Sequence, residues 1–296
     1  MPELPEVETT ARGLAKRVAG ERIASVWIGD KSNILKSPAE EIVRTLTGAR
    51  IERVRRVGKH LVIDLQVEDP SPARSAARAK RPRRQAAAQA GGNASNSQAQ
   101  WIIHLGMTGR MLVCDPADPR AKHTHLVAEL ASGRELRFVD PRRFGKLQVA
   151  AGADFQAPGN EPIGADRGKF AALFHGRKTP IKSALLNQKL LSGVGNIYAD
   201  ESLFRAGVRP RRRAASLSRA ELARLYQALQ EVLAEAILAG GSSISDYVDA
   251  SGEAGFFQLQ HRVYGREGEP CLVCKTPIKR IVIAGRSSHY CPKCQK

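Results

Sequence analysis

The chain opens Met1-Pro2-Glu3-Leu4-Pro5-Glu6-Val7-Glu8, and these eight residues decide how the rest is read. Pro2 directly after the initiator is a context that lets Met1 be clipped. The new terminus would be a secondary amine, which condenses with an aldehyde-level carbon to a charged iminium, an electron sink. An α-amine ionises near about 7.7–8.0, against about 10.4 for lysine, so far more of it is free base at neutral pH. Glu3 is the neighbouring acid or base candidate and Glu6 a second one. The same residues also make an ordinary helix start, because proline presets φ and glutamate suits the positive end of the macrodipole. Beyond Pro5, the spacing of Val7, Ala11, Leu14 and Val18 predicts one buried helix face. Gly20 ends that helix, with Lys16 and Arg17 in its last turn. A structural helix would therefore carry Pro2 and Glu3 at its tip.

Working outward, the 296 residues allow one large or two modest domains. Lys and Arg number 47 against 29 Asp and Glu, a net charge of +18. That balance points to a polyanion: nucleic acid first, an anionic membrane second. No run of about 18 apolar residues predicts a membrane span. The acidic start lacks a signal-peptide core, which predicts a cytoplasmic protein. Four of the five cysteines form CxxC pairs, which in a reducing compartment favours a metal over disulfides.

Strands are predicted over 21–29, 50–57 and 59–67, with a short helix after Ser37-Pro38 that stops at Gly48. Lys59 sits in the tight link Gly58-Lys59, where a lone lysine is ordinarily solvated. Residues 69–100 hold six Lys or Arg, one acid and no large apolar side chain. They read as a disordered insertion, either a basic arm adding weak DNA affinity or a passive linker. Strands resume at 101–105, 109–114, 123–131, 134–140 and 146–150, an antiparallel sandwich or barrel. HLGMTGRM at 104–111 sets Met107 at a glycine-flanked turn. DPRRFG at 140–145 presents Arg142, Arg143 and Phe144 on a loop. A cation and an aromatic on one loop suit insertion into a base stack, unless Phe144 folds back to the core. Cys114 reads as a buried small hydrophobe.

Residues 152–165 read as a linker. Phe170, Leu173 and Phe174 then share a short helix, and Thr179-Pro180 caps the next. In GVGNIYADE at 193–201, glycines bracket a turn and Asn196 opens the following helix. A helix N-terminus there is a ready anion site, and Asn196 is a cap, a phosphate ligand or both. Ser218 with Glu221 makes a capping box for a long core helix closed by Gly240-Gly241. The tail carries Cys271-x2-Cys274 and, after sixteen residues, Cys291-x2-Cys294. Four thiolates at this spacing predict one closed, structural Zn²⁺ on a β-hairpin. A finger so small depends on its metal to fold.

MPELPEVET, HLGMTGRM, DPRRFG, GVGNIYADE and the paired CxxC tail stand in one order, and together they resemble the bacterial formamidopyrimidine-DNA glycosylases. The likeness spans the chain except 69–100. It implies an α+β fold: an amino-terminal sandwich with flanking helices (1–151), a helix-two-turns-helix module (152–262) and a zinc finger (263–296). The implied partner is double-stranded DNA with oxidised bases or abasic sites, handled by a monomer without a catalytic metal. Pro2 would attack C1′ of a flipped oxidised purine and form a Schiff base. Glu3 would shuttle a proton at the sugar oxygen, Glu6 would orient the site, and β- and δ-elimination would cut the strand. Lys59 would meet phosphate or lesion. Met107, Arg142 and Phe144 would fill the vacated stack, with Arg142 on the orphaned base. Asn196, Lys182 and Arg286 would grip phosphates. Ser245 stands where relatives often carry Lys or Arg. Two other readings remain: the related endonuclease VIII, which removes oxidised pyrimidines, and a non-enzymatic binder of damaged DNA.

Overall fold

A computed structural model describes residues 1–30, 32–68, 96–244 and 247–296. Helix α1 (Leu4–Val18) is followed by β1 (Ile23–Ile28), α2 (Ala39–Leu46), β2 (Arg50–Val57) and β3 (His60–Glu68). Then come β4 (Asn96–His104), β5 (Arg110–Cys114), β6 (Thr124–Leu130), β7 (Glu135–Val139) and β8 (Lys146–Ala151). The strands form two antiparallel four-stranded sheets, ordered β1-β6-β7-β5 and β2-β3-β4-β8. The core holds Trp101, Phe138, Leu61 and Ile63, together with Val7, Ala11, Leu14 and Val18 of α1, as the helical spacing predicts.

Three expectations need correction. Residues 96–100, expected within a disordered insertion, are the start of β4 and pair with the far end of β3. Alternation there lets Ala99 and Trp101 share the core, although 96–100 has no large apolar residue. The remainder of that insertion lies outside the described residues. Neither Ser37 nor Thr179 caps its helix by side chain; proline takes the cap position in both. Ser37 Oγ instead bridges to the backbone of Val149 on β8. Cys114 is half-buried, not buried.

The second half is helical: α3 (Arg167–Ala172), α4 (Ile181–Leu186), α5 (Asn196–Arg205) and α6 (Arg219–Leu238). Asp166 caps α3, and Ser218 with Glu221 closes the expected capping box on α6. Their core joins Phe170, Phe174, Tyr198, Leu225, Leu229 and Phe257, and it also takes in Leu4. Helix α1 thus stands astride both cores, with Leu4 in one and Val7 in the other. Its tip is placed at the seam between the two halves. Arg56 on β2 reinforces that seam, holding Glu8 of α1 at 2.8 Å and both carboxylate oxygens of Glu161 in the linker. The hairpin of β9 (Lys279–Ile283) and β10 (Arg286–Tyr290) completes the chain. Its turn residues Ala284 and Gly285 both have positive φ, as a two-residue primed turn demands.

Candidate active site

The amino terminus is held by contacts from every quarter of the molecule. The Glu3 N–H donates to Glu6 Oε2 at 2.8 Å, one half of a capping box that fixes the Pro2–Glu3 peptide. Glu6 Oε1 accepts from the Tyr198 hydroxyl on α5 and from the Ser242 N–H at 2.8 Å. Glu6 therefore ties the terminus to α5 and to the 242 loop. Glu3 Oε1 accepts from the Ile197 N–H at 3.2 Å, while Oε2 has no partner among the described residues. The anion site at the start of α5 is thus filled by the protein's own Glu3 carboxylate.

Gly195 explains how the carboxylate comes so close. A Cβ there would lie 2.1 Å from Glu3 Cδ. Burial pushes the Glu3 carboxyl up to about 7, against the pull of Lys59 and with a further push from Glu6. Burial also raises Glu6, opposed by its three hydrogen-bond donors. Lys59, expected at a solvated turn, is 8% exposed. Burial lowers its pKa, the Glu3 and Glu6 carboxylates oppose that shift, and Arg286 adds to it. A site with an acid that titrates near neutrality and a partly desolvated lysine can move protons at pH 7.

These groups line a cavity of about 670 Å³ that takes in Pro2, Glu3, Glu6, Lys59, Met107, Asn196, Tyr247 and Arg286. Of the residues expected to work on DNA or in catalysis, all but Lys182 belong to this cavity or to the 140–145 loop packed beside Met107. A groove of similar size lies over β2 and β3, but its Arg55 and Asp64 are paired with each other, and it lies away from the amino terminus.

The residues expected to fill a vacated stack stand on two loops stapled together. Asp140, fully buried, accepts from Thr108 Oγ1 at 2.5 Å and from the Gly145 N–H at 2.7 Å. A Cβ on Gly106 would sit 2.4 Å from Gly145 N, so the loops pack backbone to backbone. On this base Met107 is 38% and Phe144 50% exposed, which removes the reading of Phe144 as core. The Arg142 guanidinium stacks 5.0 Å from the Phe144 ring centroid.

Lys182 is the clear correction. It is fully buried, with Nζ 2.7 Å from Asp200 Oδ1 and 2.6 Å from the Ser287 carbonyl oxygen. It docks the finger and does not present itself to a phosphate. Asp200 also accepts from Ser288 Oγ and the His289 N–H, so β10 is fastened to α5. Asn196 is the first helical residue; Gly195 holds the cap position. Its Nδ2 reaches Ser287 Oγ at 3.3 Å, and its Oδ1 has no partner among the described residues. Arg286 starts β10, exposed and facing the cavity. Ser245 lies outside the described residues.

The four tail cysteines converge, with all four sulfurs within 4.8 Å of one another. Cys271 and Cys294 are 3.9 Å apart and Cys274 and Cys291 3.4 Å. A tetrahedron with Zn–S bonds of about 2.3 Å has edges of about 3.8 Å. Bonded sulfurs would stand about 2.05 Å apart. The cysteines hold one structural Zn²⁺, and among the described residues Phe204, Val263 and Ile278 form the small buried apolar cluster around them.

Sequence reading missed Tyr198, Asp200, Asp140 and Ser242. Tyr198 and Asp200 lie inside GVGNIYADE, where a buried polar residue amid a helix motif was the available signal. The others act through tertiary contacts that leave no local trace.

Three family models match in sequence order. They are the formamidopyrimidine-DNA glycosylase N-terminal domain over residues 1–147, its H2TH domain over 159–248, and a zinc finger found in FPG and IleRS over 268–296. A formamidopyrimidine-DNA glycosylase of Solibacter usitatus is 44% identical, with both chains covered in full. The MutM (Fpg) structure of Thermus thermophilus is 38% identical with a TM-score of 0.79, over 99% of this chain and 98% of that one. A Lactococcus lactis Fpg solved with N7-benzyl-Fapy-dG DNA is 30% identical with a TM-score of 0.82, both chains covered in full.

Proposed function

The chain belongs to the formamidopyrimidine-DNA glycosylase family, and on that premise we propose that its seam cavity excises the damaged base through the amine of Pro2. The protein is a base-excision-repair glycosylase for oxidised purines, with AP lyase activity, acting on duplex DNA that carries lesions or abasic sites. The division of labour follows 1–151 for chemistry, 152–262 for grip and 263–296 for the finger. Among the described residues no helix is long and apolar enough to cross a membrane. The working place we propose is the bacterial cytoplasm, on the nucleoid.

The steps follow from the residues. Extruding a nucleotide costs on the order of a few kcal/mol. Met107, Phe144 and Arg142, held rigid by Asp140, offset this by filling the stack. Once Met1 is removed, the Pro2 nitrogen attacks C1′, the C1′–N bond to the base breaks, and the proton shed by the Pro2 nitrogen neutralises the departing base. Glu3 gives its proton to the sugar-ring oxygen as the ring opens, leaving an iminium between Pro2 and C1′. The iminium draws electrons from C2′, so loss of a proton there expels the 3′ phosphate, and δ-elimination then expels the 5′ phosphate. Lys59 and Arg286 flank the sugar and its phosphates. The zinc supplies folding energy to the finger and takes no part in the chemistry.

One observation carries this reading. Glu3 adjoins Pro2, is buried, and has its carboxyl pushed up to about 7, so a useful share of it is protonated at neutral pH. A strand-scission panel tests it, using duplexes with 8-oxoguanine, a formamidopyrimidine or an oxidised pyrimidine. Preferred cutting at the purines, on both sides of the lesion, is expected. Preference for pyrimidines would favour the endonuclease VIII reading, and binding without scission would favour the non-enzymatic one.

A further inference from the structure

We propose that Gln188 is a positioning residue for Glu3, tying the turn between α4 and α5 into the shape that clamps the catalytic amino terminus. The inference rests on the reading of Glu3 as the proton donor. Residues 187–195 form that turn, and it grips the first residues of the chain at three points. The Gly193 carbonyl oxygen accepts from the Leu4 N–H at 3.0 Å. Gly193 has φ +92° and packs so tightly that a Cβ there would lie 2.9 Å from the Leu4 side chain. Gly195 abuts the Glu3 carboxyl, and the Ile197 N–H bonds it.

Backbone bonds hold the first part of the turn, with the Leu190 and Leu191 N–H groups on the Asn187 carbonyl and the Ser192 N–H on the Asn160 carbonyl; at 193–194, where the chain meets the amino terminus, Gln188 supplies the tie. Its Nε2 donates to the Leu186 carbonyl at 2.9 Å and to the Val194 carbonyl at 2.8 Å. Its Oε1 accepts from the Gly193 N–H at 2.9 Å. One amide thus joins the start of the turn, at Leu186, to its end, at Gly193 and Val194. The orientation of the amide is fixed by chemistry, since flipping it would set oxygen against two carbonyls and nitrogen against an N–H. From outside, the linker braces the same turn. The Asn160 side chain donates to the Leu190 carbonyl at 2.9 Å, and a Cβ on Gly159 would lie 2.2 Å from the Gln188 carbonyl oxygen. Gln188 also faces the cavity, yet all its polar atoms are directed into the turn.

The consequence is electrostatic. Lys59, Glu6, Tyr198, Lys182 and Tyr264 face Glu3 from the surrounding elements, and a substitution at Gln188 changes none of them. What it changes is the closeness of the turn, hence the burial that raises the Glu3 carboxyl to about 7. Loosening the turn lets water reach Glu3 and lowers that value. A drop of about one unit removes about half of the protonated acid at pH 6 and about nine-tenths at pH 8.

The test compares Gln188→Met, similar in size but unable to bridge, with the wild-type enzyme in single-turnover excision of 8-oxoguanine from pH 6 to pH 8. Melting temperature, zinc content and binding to an uncleavable abasic analogue check the fold. The expected deficit grows from about twofold at pH 6 to about tenfold at pH 8, with borohydride trapping on preformed abasic DNA much less affected. A deficit equal at every pH, or none at all, would overturn the proposal. Should Gln188→Met fail to fold, Gln188→Asn, with its amide on a shorter stem, carries the same comparison. Glu3→Gln is run in parallel. If it excises normally, the donor reading fails and the clamp fails with it. If it is inactive while the Gln188 variant matches wild type throughout, only the clamp fails.

Discussion

Replacing Gly195 by alanine should remove Glu3, the proposed proton donor, from its place while leaving it in the chain. The backbone at Gly195 has φ −130° and ψ −162°, extended values that any residue adopts. The substitution therefore carries no conformational strain of its own. The difficulty is contact: the added Cβ would stand 2.1 Å from Glu3 Cδ and 2.4 and 2.5 Å from its two oxygens. Carbon atoms rest about 3.5 Å apart, so the carboxyl must withdraw by more than about 1 Å. It then leaves the Ile197 N–H, a bond that contributes about 0.5–1.5 kcal/mol to the neutral acid and about 1.5–3 kcal/mol to the carboxylate. Misplacing a catalytic group by about 1 Å costs on the order of 10²-fold in rate. Gly195→Ala should thus lose about 10²-fold in single-turnover excision of 8-oxoguanine. Borohydride trapping on preformed abasic DNA, which needs the Pro2 amine, should fall far less. Excision within about threefold of wild type in a folded, zinc-loaded variant would show that this contact does not position Glu3, and would refute the argument.

Other predictions follow from the same geometry. Phe144→Ala and Arg142→Ala should slow excision in duplex but not in single-stranded DNA, because only the duplex leaves a gap to fill. Arg142→Ala should also weaken discrimination of the base opposite, read by pairing the lesion with each base in turn. Lys182→Met leaves Asp200 buried without its cation and should cost about 3–5 kcal/mol in denaturant unfolding. The salt slope of DNA binding should stay unchanged, whereas a drop of about one would restore Lys182 as a phosphate ligand. Stripping the zinc, or Cys294→Ser, should abolish duplex binding while the circular dichroism of the amino-terminal sandwich persists. Undiminished binding by a verifiably metal-free protein would contradict that assignment.

Much of this molecule is legible in its residues because its signals are local. The apolar spacing of α1, the capping box of Ser218 and Glu221, and the strand alternation at 59–67 each follow from short-range chemistry. The cysteine spacing specifies its tetrahedron in the same way. What escaped the sequence is tertiary. Lys182 reads as a phosphate ligand until Asp200 is seen eighteen residues on, one side of a buried pair. The glycines of GVGNIYADE read as an open phosphate cradle, yet the anion they receive is Glu3, brought from 194 positions away. Residues 96–100 lack apolar bulk, and their strand is set by β3 on one side and β8 on the other. Asp140 marks a turn in sequence, and only the fold shows it stapling two loops.

The account depends most on the amine of Pro2. Borohydride reduces an iminium to a stable amine, so adding it during turnover on an 8-oxoguanine duplex should freeze a covalent protein–DNA complex. Peptide mapping should place the adduct on Pro2, and retaining Met1 should abolish both the adduct and strand scission while binding survives. An adduct on Lys59, or one that persists with the terminus blocked, would contradict the mechanism.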